Sequence, residues 1–252
     1  MPRKLRVLCL HGFRTNGKVL AAQMRALERA FGGSAEFIYL DAPHPARGPP
    51  EPVVLHRHPR DGPFFEWLSV SPASEQDGSE WIWNVKKLEA SMAFLDEQLP
   101  LIGAVDVAVG FSQGAFLLTT YVARNLMLHG PKGHPWWTLN VCVSGMFIRG
   151  ANVRQYFERA DGTPRLVRFP SIHVVGRQDP YCEKETHPAQ IYDTECTVLP
   201  ASQLTTVIVE HDGGHRFPSA TAHRALYDDL APASPSSSTD SSFVSTTEVV
   251  KG

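Results

Sequence analysis

Val105-Asp106-Val107-Ala108-Val109-Gly110-Phe111-Ser112-Gln113-Gly114 is the stretch that decides how this chain is read. Apart from Asp106, its first five residues are β-branched or apolar, as a buried strand requires. Residues 115–126, which follow, are apolar and compatible with a helix. Gly110 and Gly114 flank Ser112 at a spacing that suits a sharp strand–turn–helix corner, where a Cβ atom would clash. Such a corner lifts the serine hydroxyl clear of the backbone. It also aims a helix N-terminus at whatever the serine attacks. The glycine–serine–glycine pattern is weak on its own, and the competing reading is a plain turn serine. The flanking strand and helix give it weight.

Working outward, strands and helices alternate. Residues 5–10 form a short apolar strand ending at the loop His11–Gly17. Leu20, Met24, Leu27 and Phe31 recur at helical spacing until Gly32-Gly33 stops the helix. A second strand is expected over 36–40. Residues 41–80 are rich in proline, histidine and aromatics without a sustained period, and read as a long irregular insertion over the active face. A helix is expected to resume near Trp83, carrying Val85, Leu88, Met92, Leu95 and Leu99. Further strands are expected at 139–143, 171–175 and 205–210, with a closing helix near 220–230. This alternation predicts an α/β protein: a mostly parallel sheet with helices on both faces. Residues 1–230 are expected to form one domain, and the Ser/Thr/Pro-rich 231–252 a disordered tail.

The chain has 252 residues, 42% of them hydrophobic, enough for one sizeable core. Its 24 Lys and Arg nearly balance 26 Asp and Glu, which argues against nucleic acid or an anionic membrane surface as a partner. No apolar run approaches the roughly 18 residues of a membrane span, and the N-terminal apolar run reads as a first strand rather than a signal peptide. Cys9, Cys142, Cys182 and Cys196 are dispersed, the pattern of free thiols in a reducing, cytoplasmic compartment.

A serine hydroxyl needs a base to take its proton, and the base needs a third group to fix its tautomer. In α/β-hydrolase folds these partners follow in the order Ser, acid, His, each on a loop after a strand. Asp179 lies in Gly176-Arg177-Gln178-Asp179-Pro180, just past one expected strand. His215 lies in His211-Asp212-Gly213-Gly214-His215, just past the last. Asp212 and Asp193 compete with Asp179, and His211 competes with His215, although a histidine at the strand end reads as structural. His11, His44, His56, His58 and His173 read as ordinary loop or core residues. None forms a metal-ligand spacing, so neither metal nor cofactor is expected. For the developing oxyanion, the backbone N–H of Gln113 and that of Phe13, in the loop after the first strand, are the expected donors.

The chain resembles the FSH family of serine hydrolases. The matching pieces are Arg6-Val7-Leu8-Cys9-Leu10-His11-Gly12-Phe13-Arg14, Ala42-Pro43-His44-Pro45, Gly110-Phe111-Ser112-Gln113-Gly114, and Val143-Ser144-Gly145. Pro170-Ser171-Ile172-His173-Val174-Val175-Gly176 with Asp179, and Gly213-Gly214-His215 with Pro218, continue the match. The resemblance implies an α/β-hydrolase fold and a Ser112–His215–Asp179 triad. It also implies esterase or thioesterase activity on a small-molecule acyl ester or thioester; known members are carboxylesterases of long-chain esters and polyketide-releasing thioesterases. The serine turn also resembles that of acyl-protein thioesterases, and dienelactone-hydrolase-like chemistry ranks third. A hydrolase fold reused as a non-catalytic binder is the reading from a different class.

Phe64, Phe65, Trp67, Trp81 and Trp83 lie in or beside the insertion. Two accounts of these rings stand side by side: anchors for a long loop, or walls of an acyl pocket to which Phe65 and Trp81 contribute.

Overall fold

The computed structural model describes residues 3–73, 80–130, 137–181, 188–192, 206–219 and 250–251. In β1 (Leu5–Leu10), successive side chains point to opposite faces. Val7 and Cys9 pack with Leu20 and Met24 of α1 (Gly17–Ala30). Leu8 and Leu10 pack on the other face, with Leu88, Met92, Leu95 and Leu99 of the later helix Leu88–Ile102. Helices therefore cover both faces of the sheet, which is why its central strands carry apolar residues at nearly every position.

The sheet is built from β1, β2 (Ala35–Leu40), β7 (Val107–Phe111), β8 (Leu139–Val143), β9 (Ser171–Gly176) and β10 (Thr206–His211). They are parallel, in the order β10-β9-β8-β7-β1-β2. The chain leaves β1 towards β2 on one side and returns on the other as β7. The carboxyl ends of β1 and β7 therefore face a topological switch point, where open α/β sheets hold their ligands. A two-residue strand, β11 (Val250–Lys251), pairs with the β10 edge. The rest of the 231–252 tail and the expected helix at 220–230 lie outside the described residues. Cys9 and Cys142 are free and buried. Burial pushes both thiols up, Cys142 to about 11, which leaves them poor nucleophiles.

The insertion is less irregular than its composition suggests. β3 (His44–Pro45) pairs antiparallel with β4 (Phe65–Glu66), and α2 (Pro52–Arg57) begins with proline where the missing N–H is harmless. β5 (Ser69–Pro72) pairs with β6 (Trp83–Lys86). That last pairing corrects the expectation of a helix from Trp83. Lys87 takes a left-handed φ of 68°, and α3 (Leu88–Ile102) begins only after it. Val85 is buried either way, so the spacing of apolar residues could not separate the two conformations. A long-range partner decides it: the Val85 N–H donates to Asn152 Oδ1 and its carbonyl accepts from Asn152 Nδ2, both at 2.9 Å. One amide side chain thus stands in for a neighbouring strand.

α4 (Gln113–His129) runs behind β7, buried continuously through its first three turns. α5 (Arg154–Phe157) closes the same side. Asn152→Ala, which strands both backbone groups of Val85, should lower stability by about 2 kcal/mol in a denaturant titration, with the loss visible as early exchange of β6 amides.

Candidate active site

Ser112 forms the corner between β7 and α4 with φ 52° and ψ −110°. That conformation costs a residue with a Cβ on the order of 1–3 kcal/mol, so the surroundings must impose it. The Ser112 N–H donates to the Val143 carbonyl at 2.9 Å. A Cβ on Gly114 would run into the carbonyl oxygens of Leu10 and His11. Glycine here lets the first turn of α4 rest on the end of β1.

The loop after β10 brings His215 over this corner. Its Nε2 lies 2.8 Å from Ser112 Oγ, and its Nδ1 lies 2.8 Å from Asp179 Oδ2 on the loop after β9. An ionised carboxylate only accepts, so Nδ1 carries the proton and Nε2 is left to accept from the serine hydroxyl. Asp179 Oδ1 accepts the Tyr181 N–H at 3.0 Å. The imidazole sits between the rings of Phe111 and Tyr181, with centroids 5.2 and 5.1 Å away. The two loops are laced together: Arg177 N–H donates to the His211 carbonyl at 2.8 Å, and Gln178 N–H to that of Gly213 at 3.0 Å. Ser112 and Asp179 are each 7% exposed, so this chain of hydrogen bonds is largely shielded from water.

The rival residues are placed elsewhere. His211 is fully buried, and its Nδ1 accepts the Gly213 N–H at 3.0 Å, shaping the turn that presents His215. Asp212 is exposed and pairs with Arg177 at 2.7 Å. Asp193 lies outside the described residues. Among the described residues, no group of three His, Cys, Asp or Glu side chains is arranged to hold a metal, and no helix is long and apolar enough to cross a membrane.

The loop after β1 lies against Ser112. A Cβ on Gly12 would come 2.7 Å from the Phe111 ring, so glycine lets the loop backbone lie against that ring, within ordinary contact of Ser112. His11, read from the sequence as an ordinary histidine, shapes this loop. Its Nδ1 donates to the Gly12 carbonyl at 2.8 Å, and its Nε2 accepts the Ala42 N–H at 3.0 Å. Thr15 Oγ1 donates to the same Gly12 carbonyl at 2.9 Å. In a planar trans peptide the N–H points opposite the C=O. Anchoring the Gly12 carbonyl therefore also sets the direction of the Phe13 N–H. Gln113, first residue of α4, has an N–H without an intrahelical acceptor. The sequence signal that could have found His11 is its position directly before the Gly12–Phe13 peptide, whose carbonyl its ring reaches.

Phe65 and Trp81 are half-buried and tied to the scaffold. The Phe65 N–H donates to the Thr15 carbonyl at 2.7 Å. The Trp81 indole donates to Glu158 at 2.9 Å and meets Phe147 edge to face, centroids 5.9 Å apart. Phe147 in turn packs on Phe116, in the first turn of α4 behind Ser112.

A family model described as serine hydrolase (FSH1) matches residues 1–226. Esterase OVCA2 of Homo sapiens is 31% identical over 234 residues, covering 89% of this chain and 94% of the relative. Esterase tropF of Talaromyces stipitatus is 28% identical, covering 84% and 76%. Among solved structures, Zea mays acyl-protein thioesterase 2 superposes with a TM-score of 0.52 at 18% identity, covering 91% of this chain and 94% of that one. At that identity the likeness shows a shared fold.

Burial holds His11 neutral, lowering its pKa from the ordinary 6.5 to about 4. Between those two values the unfolded chain binds a proton that the folded chain refuses. The stability linked to His11 is therefore fully present above pH 6.5 and is lost as pH falls towards 4. The loss amounts to at most about 3 kcal/mol. Melting temperature should decline across that interval, and His11→Asn should flatten the decline; an unchanged slope in the variant would remove His11 as its source.

Proposed function

The chain belongs to the serine hydrolase (FSH1) family, and on that premise we propose that it hydrolyses carboxylic esters through Ser112, His215 and Asp179. The observation that carries this reading is the unbroken chain from Ser112 Oγ through His215 to Asp179, 2.8 Å at each link. Ser112 Oγ attacks the acyl carbonyl carbon as its proton passes to His215 Nε2. The carbonyl oxygen becomes an oxyanion, accepting hydrogen bonds from the Phe13 and Gln113 N–H groups. Asp179 stabilises the resulting imidazolium without taking the proton. Collapse of the tetrahedral intermediate breaks the bond to the leaving alcohol, which receives the proton from His215. Water then attacks the acyl-enzyme by the same route, releasing the acid and restoring the serine. Nothing in these steps needs a metal or a nucleotide.

A thioester follows the same course with a thiol leaving group. The acyl-protein thioesterase among the fold's neighbours makes it the second substrate class to test. In this reading the half-buried Phe65 and Trp81 wall part of the acyl pocket.

Ser112→Ala, His215→Ala and Asp179→Asn should each lower kcat on a p-nitrophenyl ester by about 10³-fold or more. Ser112→Ala should also abolish fluorophosphonate labelling without unfolding the protein. Retention of more than a few per cent of activity in Ser112→Ala would remove the serine from the mechanism. His211→Ala should cost far less than His215→Ala, because its contacts shape a turn.

Each buried CH₂ contributes about 0.8 kcal/mol, so kcat/KM should rise by up to about fourfold per methylene from acetyl to medium chain length. Trp81→Ala or Phe65→Ala should flatten that slope more than they slow acetyl-ester turnover. A flat profile in the unaltered enzyme would leave both rings as scaffold. Running the same acyl series as thioesters ranks the two leaving groups.

A further inference from the structure

Residues 65–68 of the insertion hold both segments from which the proposed oxyanion donors project. The Phe65 N–H donates to the Thr15 carbonyl at 2.7 Å. Glu66, buried, is pinned by Lys87 Nζ at 2.6 Å and faces Arg14 Nε at 3.6 Å. The Trp67 indole Nε1–H donates to the His11 carbonyl at 2.9 Å, with its ring against the His11 imidazole at 5.2 Å. Three consecutive residues thus grip the 11–15 loop on both sides of Phe13.

The same segment grips the nucleophile corner. The Trp67 backbone N–H donates to Gln113 Oε1, and Gln113 Nε2 donates to the Leu68 carbonyl, each at 2.9 Å. Ser91 Oγ of α3 donates to the Trp67 carbonyl and anchors the whole from behind. Trp67 is fully buried, so it has no face to offer a substrate. Both of its N–H donors are spent on joining the loop after β1 to the first residue of α4.

We infer that Trp67 is a positioning residue: it ties the segment bearing the Phe13 N–H to the residue bearing the Gln113 N–H, so that the two donors keep the separation a tetrahedral oxyanion needs. This rests on the oxyanion donors named in the proposed function. Such a brace matters because hydrogen bonds to a developing oxyanion are short and directional, and a donor displaced by a fraction of an ångström stabilises the transition state less while the ground state binds unchanged.

Trp67→Phe keeps an aromatic ring and deletes the indole donor. Its kcat on a p-nitrophenyl ester should fall about tenfold, a fraction of what losing a whole donor costs, with KM changed less than about twofold. A trifluoromethyl ketone supplies the second readout. Ser112 Oγ adds to its carbonyl carbon, the proton passes to His215, and the carbonyl oxygen becomes an oxyanion in the hole. Its inhibition constant should rise by the same factor as kcat/KM falls. A merely structural role would lower melting temperature or active fraction, titrated with fluorophosphonate, and leave both ratios per active site unchanged.

Gln113→Met, which cuts the other arm of the brace, should repeat the pattern and decides the matter if Trp67→Phe fails to fold. Val70→Ala, on the exposed side of β5, should change neither ratio. If the brace variants keep wild-type kcat and inhibitor affinity while Ser112→Ala is dead, the brace is wrong and the serine mechanism stands. If Ser112→Ala is active, the mechanism is wrong and the brace with it.

Discussion

Backbone contact between the end of β1 and the first turn of α4 is the constraint on which the rest of the structure depends. The Leu10 and His11 carbonyls occupy the space a side chain at residue 114 would need. Glycine there lets α4 start directly beside the switch point between β1 and β7. That one approach sets the height at which Ser112 stands and how near the loop after β1 can come to it. It also explains why Ser112 is held in a left-handed conformation: the chain must reverse from strand to helix within one residue while both neighbours stay packed.

The strain is sustained by surroundings that leave few alternatives. Parallel strands on either side fix the chain ends, and the loops after β9 and β10 hydrogen-bond to each other before either reaches Ser112. His215 is therefore positioned by backbone it does not belong to. Desolvation works in the same direction. A buried, neutral His11 donates from one ring nitrogen and accepts at the other, which orients a peptide rather than binding a proton. Its neutrality is a consequence of burial, and its tautomer a consequence of the Ala42 N–H.

The aromatic residues of the insertion divide by burial. Trp67 is entirely enclosed and has its donors committed, so its contribution is to geometry. Phe65 and Trp81 are half-buried, and each is tied to the scaffold. A single stretch of unpatterned sequence thus supplies both internal bracing and surface that a ligand could meet.

Much of this was legible in the sequence. The parallel α/β architecture follows from apolar runs of strand length alternating with residues at helical spacing, because both faces of such a sheet must be covered. Ser112, Asp179 and His215 could be picked out as a set because each stands just past such a run, where a strand end delivers its residue to the same edge of the sheet. Local patterns reach no further than the element they describe. Trp83–Lys86 carries apolar spacing compatible with helix or strand, and Asn152, 67 residues from Val85, decides in favour of a strand. The structural role of His211, the orienting role of His11 and the burial of Trp67 likewise rest on partners distant in the chain. Propensity and periodicity are properties of neighbours in sequence; hydrogen-bond satisfaction and burial are properties of neighbours in space, and only the folded chain sets them.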